Sequence, residues 1–399
     1  MTQGGKENSG DNMALKGLTG CIRILLHNVK TKGVICANIT KRSDCWTCRV
    51  GAKRHILSEN VIKLQEFQEK KLAVAHQIYG GKEEYFQKLN QKLQKKELIL
   101  KDELKLLLHL CETPDDVDTA RNAIYRYHEE NFNVAFGEFK FGPLFMRLCY
   151  ELGMEEIAAN TIKDKTLRGF FSDSTSFNLA MDMLFMKGYY DSALEVLITM
   201  RDLGVPFNTE TVTVAFAICY KLNTPRSYKI CTALLEEAQI KGQRVHRQAY
   251  CFLVALALKQ NDLARAESVY TQIMNPENQI CQNLKVLILA QSGAMNDVLS
   301  ILASALMPNS SPFVKKPEFS HEVADALRAQ AAEKAPLRER VERALARLQQ
   351  NGQVTALGLD AMLCHTPSRR RRPAGLLQER GRSSSRRTFR PLQSTLLLE

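Results

Sequence analysis

The chain is patterned as short amphipathic helices, and residues 174–208 show the pattern most clearly. The apolar side chains of the first helix in this stretch recur every three or four residues and share one face: Phe177, Met181, Leu184 and Phe185. Gly188 permits a chain reversal with a positive φ, and the small Ala193 lets a second helix approach the first. Gly204 and Pro206 end that second helix. The stretch therefore predicts a helical hairpin.

This hairpin pattern repeats with a period of 35 residues. Ala193 aligns with Ala158 and Ala123, and Gly188 aligns with Gly153. Since helices of about 12 residues are marginal alone, successive hairpins must stack to bury their apolar faces. We therefore predict an all-α fold, an α-solenoid of stacked helix-turn-helix repeats with helical caps. Six units are expected, at residues 104–138, 139–173, 174–208, 209–246, 247–278 and 279–308.

Composition outside the repeats indicates the remaining domain organisation. An apolar stripe of Phe86, Leu89, Leu93 and Leu100 predicts capping helices before the array, with a partner-binding seam as the alternative. The expected regions are a basic targeting or disordered segment at 1–58, a helical cap at 59–103, the array at 104–308, a second helical cap at 309–363 and an Arg-rich disordered tail at 364–399.

The net charge of +12 is concentrated at the two ends of the chain. Residues 1–58 and 368–399 each sum to +7, which leaves −2 for residues 59–367. From Met13 to Ser58 only Asp44 is acidic, a composition typical of a mitochondrial transit peptide, with a disordered basic arm as the alternative. We therefore expect a location in the mitochondrial matrix. The Arg-rich tail is open to three interpretations: an RNA-binding segment, a nuclear signal or a solvated tail.

The sequence carries no recognisable catalytic motif. The phosphate-binding, nucleophile-elbow and zinc-protease patterns are absent, and the histidines lack metal-ligand spacing. The pair Cys45 and Cys48 has no second pair at a zinc-finger distance, and the acids of residues 113–118 are expected to complement a helix that begins near Asp118. The longest apolar run, at 249–258, is too short to span a bilayer. We therefore expect a protein without catalytic activity, cofactor or membrane span.

The unit at 174–208 resembles the pentatricopeptide repeat. The resemblance rests on "SFN" opening the first helix, the glycine in mid-unit, "SALEVLITM" in the second helix and "GVPFN" at the close. It extends over about residues 57–367 through "GEFKFGPLFMRLCYELGMEE" and "LDAMLCHTP". It implies binding of single-stranded mitochondrial RNA, one base per repeat, in RNA processing or maturation beside RNA-processing proteins. Respiratory-chain function would then be supported indirectly.

The resemblance also implies which side chains read bases. One reader lies on the first helix of a unit, one residue after its opening aromatic, and the other is the last residue of the unit. The positions that match are Asn178, Asn208, Asp173, Thr213, Pro143 and Cys251. An asparagine at the first position indicates a pyrimidine, whereas Pro143 has no side-chain hydrogen-bonding group.

Three alternatives remain open from the sequence. Asn178 can instead serve only to cap or solvate its helix. The array can be a protein-binding scaffold, as tetratricopeptide arrays are, and the near-neutral body favours this. A concealed nuclease, which would require a divalent cation, is the third. The oligomeric state is not predicted.

Overall fold

The computed structural model describes residues 55–76, 81–131, 139–307 and 316–365. These residues all belong to one compact unit. They are built of helices, apart from a single two-residue strand pair, so the predicted all-α class is confirmed. The proposed targeting segment up to residue 54, including Cys45 and Cys48, and the Arg-rich tail from residue 366 lie outside the described residues.

Within the described residues, three helices precede the repeats: α1 (Glu59–Ile62), α2 (Leu64–Ala75) and α3 (Lys82–Gln94). Leu89 is buried on α3, and Phe86 and Leu93 pack against the main core as predicted. Leu100 does not join them, because it precedes the next helix as its N-cap and is 54% exposed. Residues 55–58, which the sequence placed in the targeting segment, pack against the core through Ile56 and Leu57.

Six helical hairpins follow. Their helices are α4 (Lys101–Leu110) and α5 (Pro114–Asn131), α6 (Gly142–Leu152) and α7 (Glu155–Lys163), α8 (Ser174–Lys187) and α9 (Tyr190–Asp202), α10 (Thr209–Leu222) and α11 (Pro225–Ile240), α12 (Arg247–Lys259) and α13 (Leu263–Tyr270), α14 (Gln279–Gln291) and α15 (Met295–Leu306). Helix α5 begins at Pro114, earlier than the expected start near Asp118, so Asp115 and Asp116 lie in its first turn and complement its dipole.

The first helices of successive hairpins pack side by side, and we call α6, α8, α10, α12 and α14 the first-helix layer. The small residues that recur every 35 positions, Ala123, Ala158 and Ala193, are all fully buried. Gly153 and Gly188 end α6 and α8 in the left-handed conformation, with φ of 70° and 88°. These positions confirm the predicted hairpin geometry.

The C-terminal part forms a cap and then returns to the array. Helices α16 (His321–Ala331) and α17 (Ala335–Gln350) pack with α15 in a second apolar core. A parallel strand pair, β1 (Phe319–Ser320) with β2 (Val354–Thr355), ties the ends of this cap together. Helix α18 (Leu359–Leu363) then packs on α12 and α14 of the first-helix layer. The sequence did not predict the strand pair or this return. Across the part of the chain that the structure describes, no helix combines the length and apolar character needed to cross a bilayer.

Candidate nucleic-acid interface

The structure brings together the two side chains that the resemblance identifies as a reading pair. Asn178 lies in the second turn of α8, and Asn208 is the N-cap of α10. The Nδ2 of Asn178 donates to the Oδ1 of Asn208 at 3.1 Å. Thr211 Oγ1 donates to the Oδ1 of Asn178 at 2.8 Å. The carboxamide of Asn178 thus has protein partners on both its nitrogen and its oxygen.

Burial differs between the two asparagines. Asn178 has no exposed surface, whereas Asn208 is partly exposed. Asn208 also accepts from the backbone N–H of Thr211 at 2.8 Å and donates to Ser174 Oγ at 3.0 Å. In this conformation a base can touch Asn208, but it reaches Asn178 only if the bonds to Asn208 and Thr211 open. The base-reading role of the pair stays a prediction.

The last residue of a unit caps the first helix of the next unit. Asp173 accepts from the backbone N–H of Ser176 at 2.8 Å and caps α8, as Asn208 caps α10. Asp and Asn are favoured at such positions because their oxygens satisfy a free backbone N–H at the helix start. Helix capping therefore explains these two residue types without a ligand.

The remaining three predicted positions are occupied by local contacts or by packing. Thr213 is nearly buried, and its Oγ1 donates to the carbonyl of Thr209 at 2.8 Å. Pro143 is half-buried in the first turn of α6. Cys251 is buried, and its Sγ lies 3.7 Å from that of Cys281 on the neighbouring first helix. The hydrogen bond to Cys281, together with burial, raises the pKa of the Cys251 thiol.

Sequence reasoning missed an acidic residue at the centre of the first-helix layer. Asp182, one turn after Asn178, is fully buried. Its Oδ1 accepts from the backbone N–H groups of Ile56 and Leu57 at 2.9 and 3.3 Å, and its Oδ2 accepts from Tyr150 Oη at 2.9 Å. Burial and the charge of Asp182 raise the pKa of Tyr150 far above its ordinary value. A carboxylate among apolar neighbours ("LAMDMLFM") was the available signal, since a buried charge requires partners.

The N-terminal segment makes further contacts with the same layer. Arg147 on α6 donates from Nε to the carbonyl of Ile62 at 2.7 Å, and burial lowers the pKa of its guanidinium. Ile56, Leu57 and Ile62 are each at most 4% exposed. The segment is therefore held by main-chain hydrogen bonds together with apolar burial.

Helix α18 covers the other end of the layer. Lys221 Nζ at the end of α10 pairs with Asp360 at 2.6 Å, and Gln248 Nε2 donates to the carbonyl of Leu363 at 2.9 Å. Lys259 Nζ lies 3.8 Å from the ring centroid of Tyr220, and burial lowers the pKa of this lysine. Two lysines and an aromatic ring thus meet beneath α18.

Among the described residues no three or more His, Cys, Asp or Glu side chains are grouped to hold a metal ion. The seven cysteines within the described ranges are free thiols, and all are buried.

The chain is similar in sequence to known proteins. A family model described as pentatricopeptide repeat-containing protein matches residues 147–273, which run from α6 to the end of the fifth hairpin. The chain is 52% identical over 387 residues to the zebrafish (Danio rerio) protein named pentatricopeptide repeat-containing protein 2, mitochondrial, covering 97% of this chain and all of that protein. It is 53% identical to the human (Homo sapiens) protein of the same name, with 88% and 90% of the two chains covered. The chain therefore belongs to the pentatricopeptide repeat family, whose members typically bind RNA.

Proposed function

We propose that this protein is a non-catalytic, single-stranded RNA-binding protein of the mitochondrial matrix that acts in RNA processing or maturation. Membership of a family that typically binds RNA supports the proposal, as do the relatives that are named mitochondrial. Respiratory-chain output then depends on the protein indirectly, through the transcripts that it holds.

The contact between Asn178 and Asn208 carries the proposal. Recognition of one base by two side chains requires those side chains to be neighbours, and these two are 3.1 Å apart at the first and last reading positions of the unit. Two amides can both donate and accept, which suits the Watson–Crick edge of a base. On binding, the base would replace the hydrogen bond that the carboxamide of Asn178 now donates to Asn208.

Sequence specificity needs a contribution beyond the array. Four or five readable bases recur by chance about every few hundred to a thousand nucleotides. The array therefore holds RNA for other proteins, and RNA-processing proteins supply the remaining specificity and the chemistry.

Crosslinking tests the proposal. RNA is crosslinked to the protein in mitochondria, recovered and sequenced, with an unrelated matrix protein of similar abundance as the control. We expect enrichment of discrete segments of mitochondrial transcripts. Recovery no better than the control would overturn the proposal. Purified protein incubated with labelled RNA and Mg²⁺ or Mn²⁺ should leave the RNA intact, and divalent-dependent cleavage would contradict the non-catalytic assignment.

A protein-binding scaffold is the second candidate. It is favoured by the first-helix layer, which already holds two peptide segments through apolar side chains and main-chain hydrogen bonds. The charge of −2 over residues 59–367 points the same way. Ionic strength separates the two functions, because phosphate binding weakens steeply with salt whereas binding in an apolar groove does not.

A further inference from the structure

We propose that the chain covers its own RNA-binding surface at both ends, and that single-stranded RNA binds the first-helix layer only when these covers are displaced. The N-terminal cover is residues 55–62 and the C-terminal cover is residues 357–365. The inference rests on the proposed function, because it concerns access of RNA to the same layer.

The repeat register locates the N-terminal cover. Arg147 and Asp182 are 35 residues apart, and each lies four residues after a predicted reading position, Pro143 or Asn178. Residues four apart on a helix share a face, so the cover contacts the layer one turn from the reading positions of two consecutive units. A strand of RNA that follows those positions from one unit to the next meets residues 55–62 on its path.

The N-terminal cover is bound specifically. Two consecutive backbone N–H groups of the cover, those of Ile56 and Leu57, share the Oδ1 of Asp182. This leaves no water-exposed surface on the carboxylate. The N-terminal cover is therefore held on the layer by main-chain hydrogen bonds to a buried carboxylate.

The C-terminal cover lies against two lysines of the first-helix layer, Lys221 and Lys259. The carboxylate of Asp360 lies 2.6 Å from Lys221 Nζ, the position that an RNA phosphate would take. Lys259 and Tyr220 lie beside it, a cation and a ring of the kind that nucleic acids use for phosphate pairing and base stacking. Leu363 is fully buried and anchors the cover in the apolar core.

A cover lowers the apparent affinity of the protein for RNA, because only the uncovered form binds. When the binding-competent form is a fraction of the population, the apparent dissociation constant is the intrinsic one divided by that fraction. Release of a cover should therefore tighten RNA binding in full-length protein without adding any RNA contact.

The experiment uses full-length variants that release each cover. Leu57→Ser removes a buried apolar anchor of the N-terminal cover without adding charge, and Asp360→Lys places a cation opposite Lys221. Leu98→Ser and Glu195→Lys are the matched controls, because Leu98 is 56% exposed and Glu195 is an exposed acid whose lysine partner, Lys163, lies on another second helix of the array. Hydrogen exchange of residues 55–62 and 357–365 reports release, and fluorescence anisotropy with short labelled poly-U, poly-C and poly-A RNA reports affinity.

We expect each release variant to exchange faster in its own cover and to bind at least one of the RNAs about tenfold more tightly, with the double variant tighter still and the controls unchanged. Released covers with unchanged RNA affinity would overturn the inference while leaving RNA binding intact. Rapid exchange of both covers in the wild type would overturn it as well. Absence of RNA binding by the wild type and every variant would instead overturn the proposed function. Asp360→Lys alters a side chain that is about half exposed, so it tests the inference even if Leu57→Ser fails to fold.

Discussion

Tyr150 on α6 donates a hydrogen bond of 2.9 Å from its hydroxyl to Asp182 on α8, so a phenol and a carboxylate are paired inside the first-helix layer. The same carboxylate holds the backbone of Ile56 and Leu57. Asp182 therefore joins two repeats and the N-terminal segment at one point. Its importance to the fold follows from how many donors would lose their acceptor if it were removed.

Asp182→Ala should lower the free energy of unfolding by about 2–4 kcal/mol, because three buried donors lose their acceptor. Urea denaturation measures the change, and Asp202→Ala at an exposed position of α9 is the control. Hydrogen exchange should locate the damage at residues 55–62. A loss as small as that of the control would show that Asp182 does not anchor this segment.

Asn208 offers a way to separate capping from base recognition. Asn208→Ala removes the N-cap of α10 and should cost about 1–2 kcal/mol of stability. Asn208→Asp retains the oxygen that accepts from Thr211 and should cost less than about 1 kcal/mol. If Asn208 also contacts a base, the Asp variant should alter base preference in anisotropy titrations at nearly unchanged stability. Identical preference in both proteins would leave capping as its role.

Gly142 is required by a close approach between units. A Cβ at this position would clash with Ser176 Oγ and would lie 3.0 Å from Phe171 and 3.1 Å from Asp173. Gly142→Ala should therefore destabilise the protein by about 1–3 kcal/mol through overpacking. Thermal or urea denaturation measures this, with Gly81→Ala as a control beside the flexible side chain of Glu83.

A double-mutant cycle identifies the cause. Adding Ser176→Ala removes the clashing hydroxyl, so the double variant should lose less stability than the sum of the two single variants. Strict additivity would contradict the clash with Ser176 and would point to the contacts with Phe171 and Asp173 instead.

His109 should make stability depend on pH. It is 5% exposed, and burial lowers the pKa of its imidazole below the usual 6.5. The unfolded chain then takes up a proton before the folded chain does as the pH falls through about 6.5, so stability decreases on acidification by up to about 1.4 kcal/mol per pH unit for such a group. Denaturation between pH 7.5 and 5 should show a smaller decrease for His109→Leu than for the wild type. A control exchange at an exposed, non-titratable position, Gln91→Leu on α3, should keep the full wild-type slope.

The hairpins could be predicted because their signals are local. The predicted units at 174, 209, 247 and 279 begin at the first residues of α8, α10, α12 and α14. Glycines that take positive φ, capping residues and the helical spacing of apolar side chains all act within a few residues of one another. The unit predicted at 139 has its first helix at Gly142 instead, because Phe139 and Phe141 pack as an aromatic pair before the helix begins.

The covers could not be predicted because they depend on contacts between distant residues. Ile56 meets Asp182 across 126 positions, and Lys221 meets Asp360 across 139. Periodicity carries no information about such contacts. The sequence therefore indicated the position of Asn178 in the repeat. It did not indicate that the carboxamide of Asn178 is buried and hydrogen-bonded within the protein.

The return of α18 to the last two hairpins of the array has a practical consequence for mapping activity by deletion. Truncation before residue 357 removes Leu363 from the apolar core. It also exposes to solvent the apolar side chains of the fifth and sixth hairpins that α18 covers. A shortened protein that loses activity would report damage to those hairpins as readily as loss of the piece removed. The function of α18 is therefore better tested by single substitutions in the full-length protein, at half-exposed positions such as Asp360.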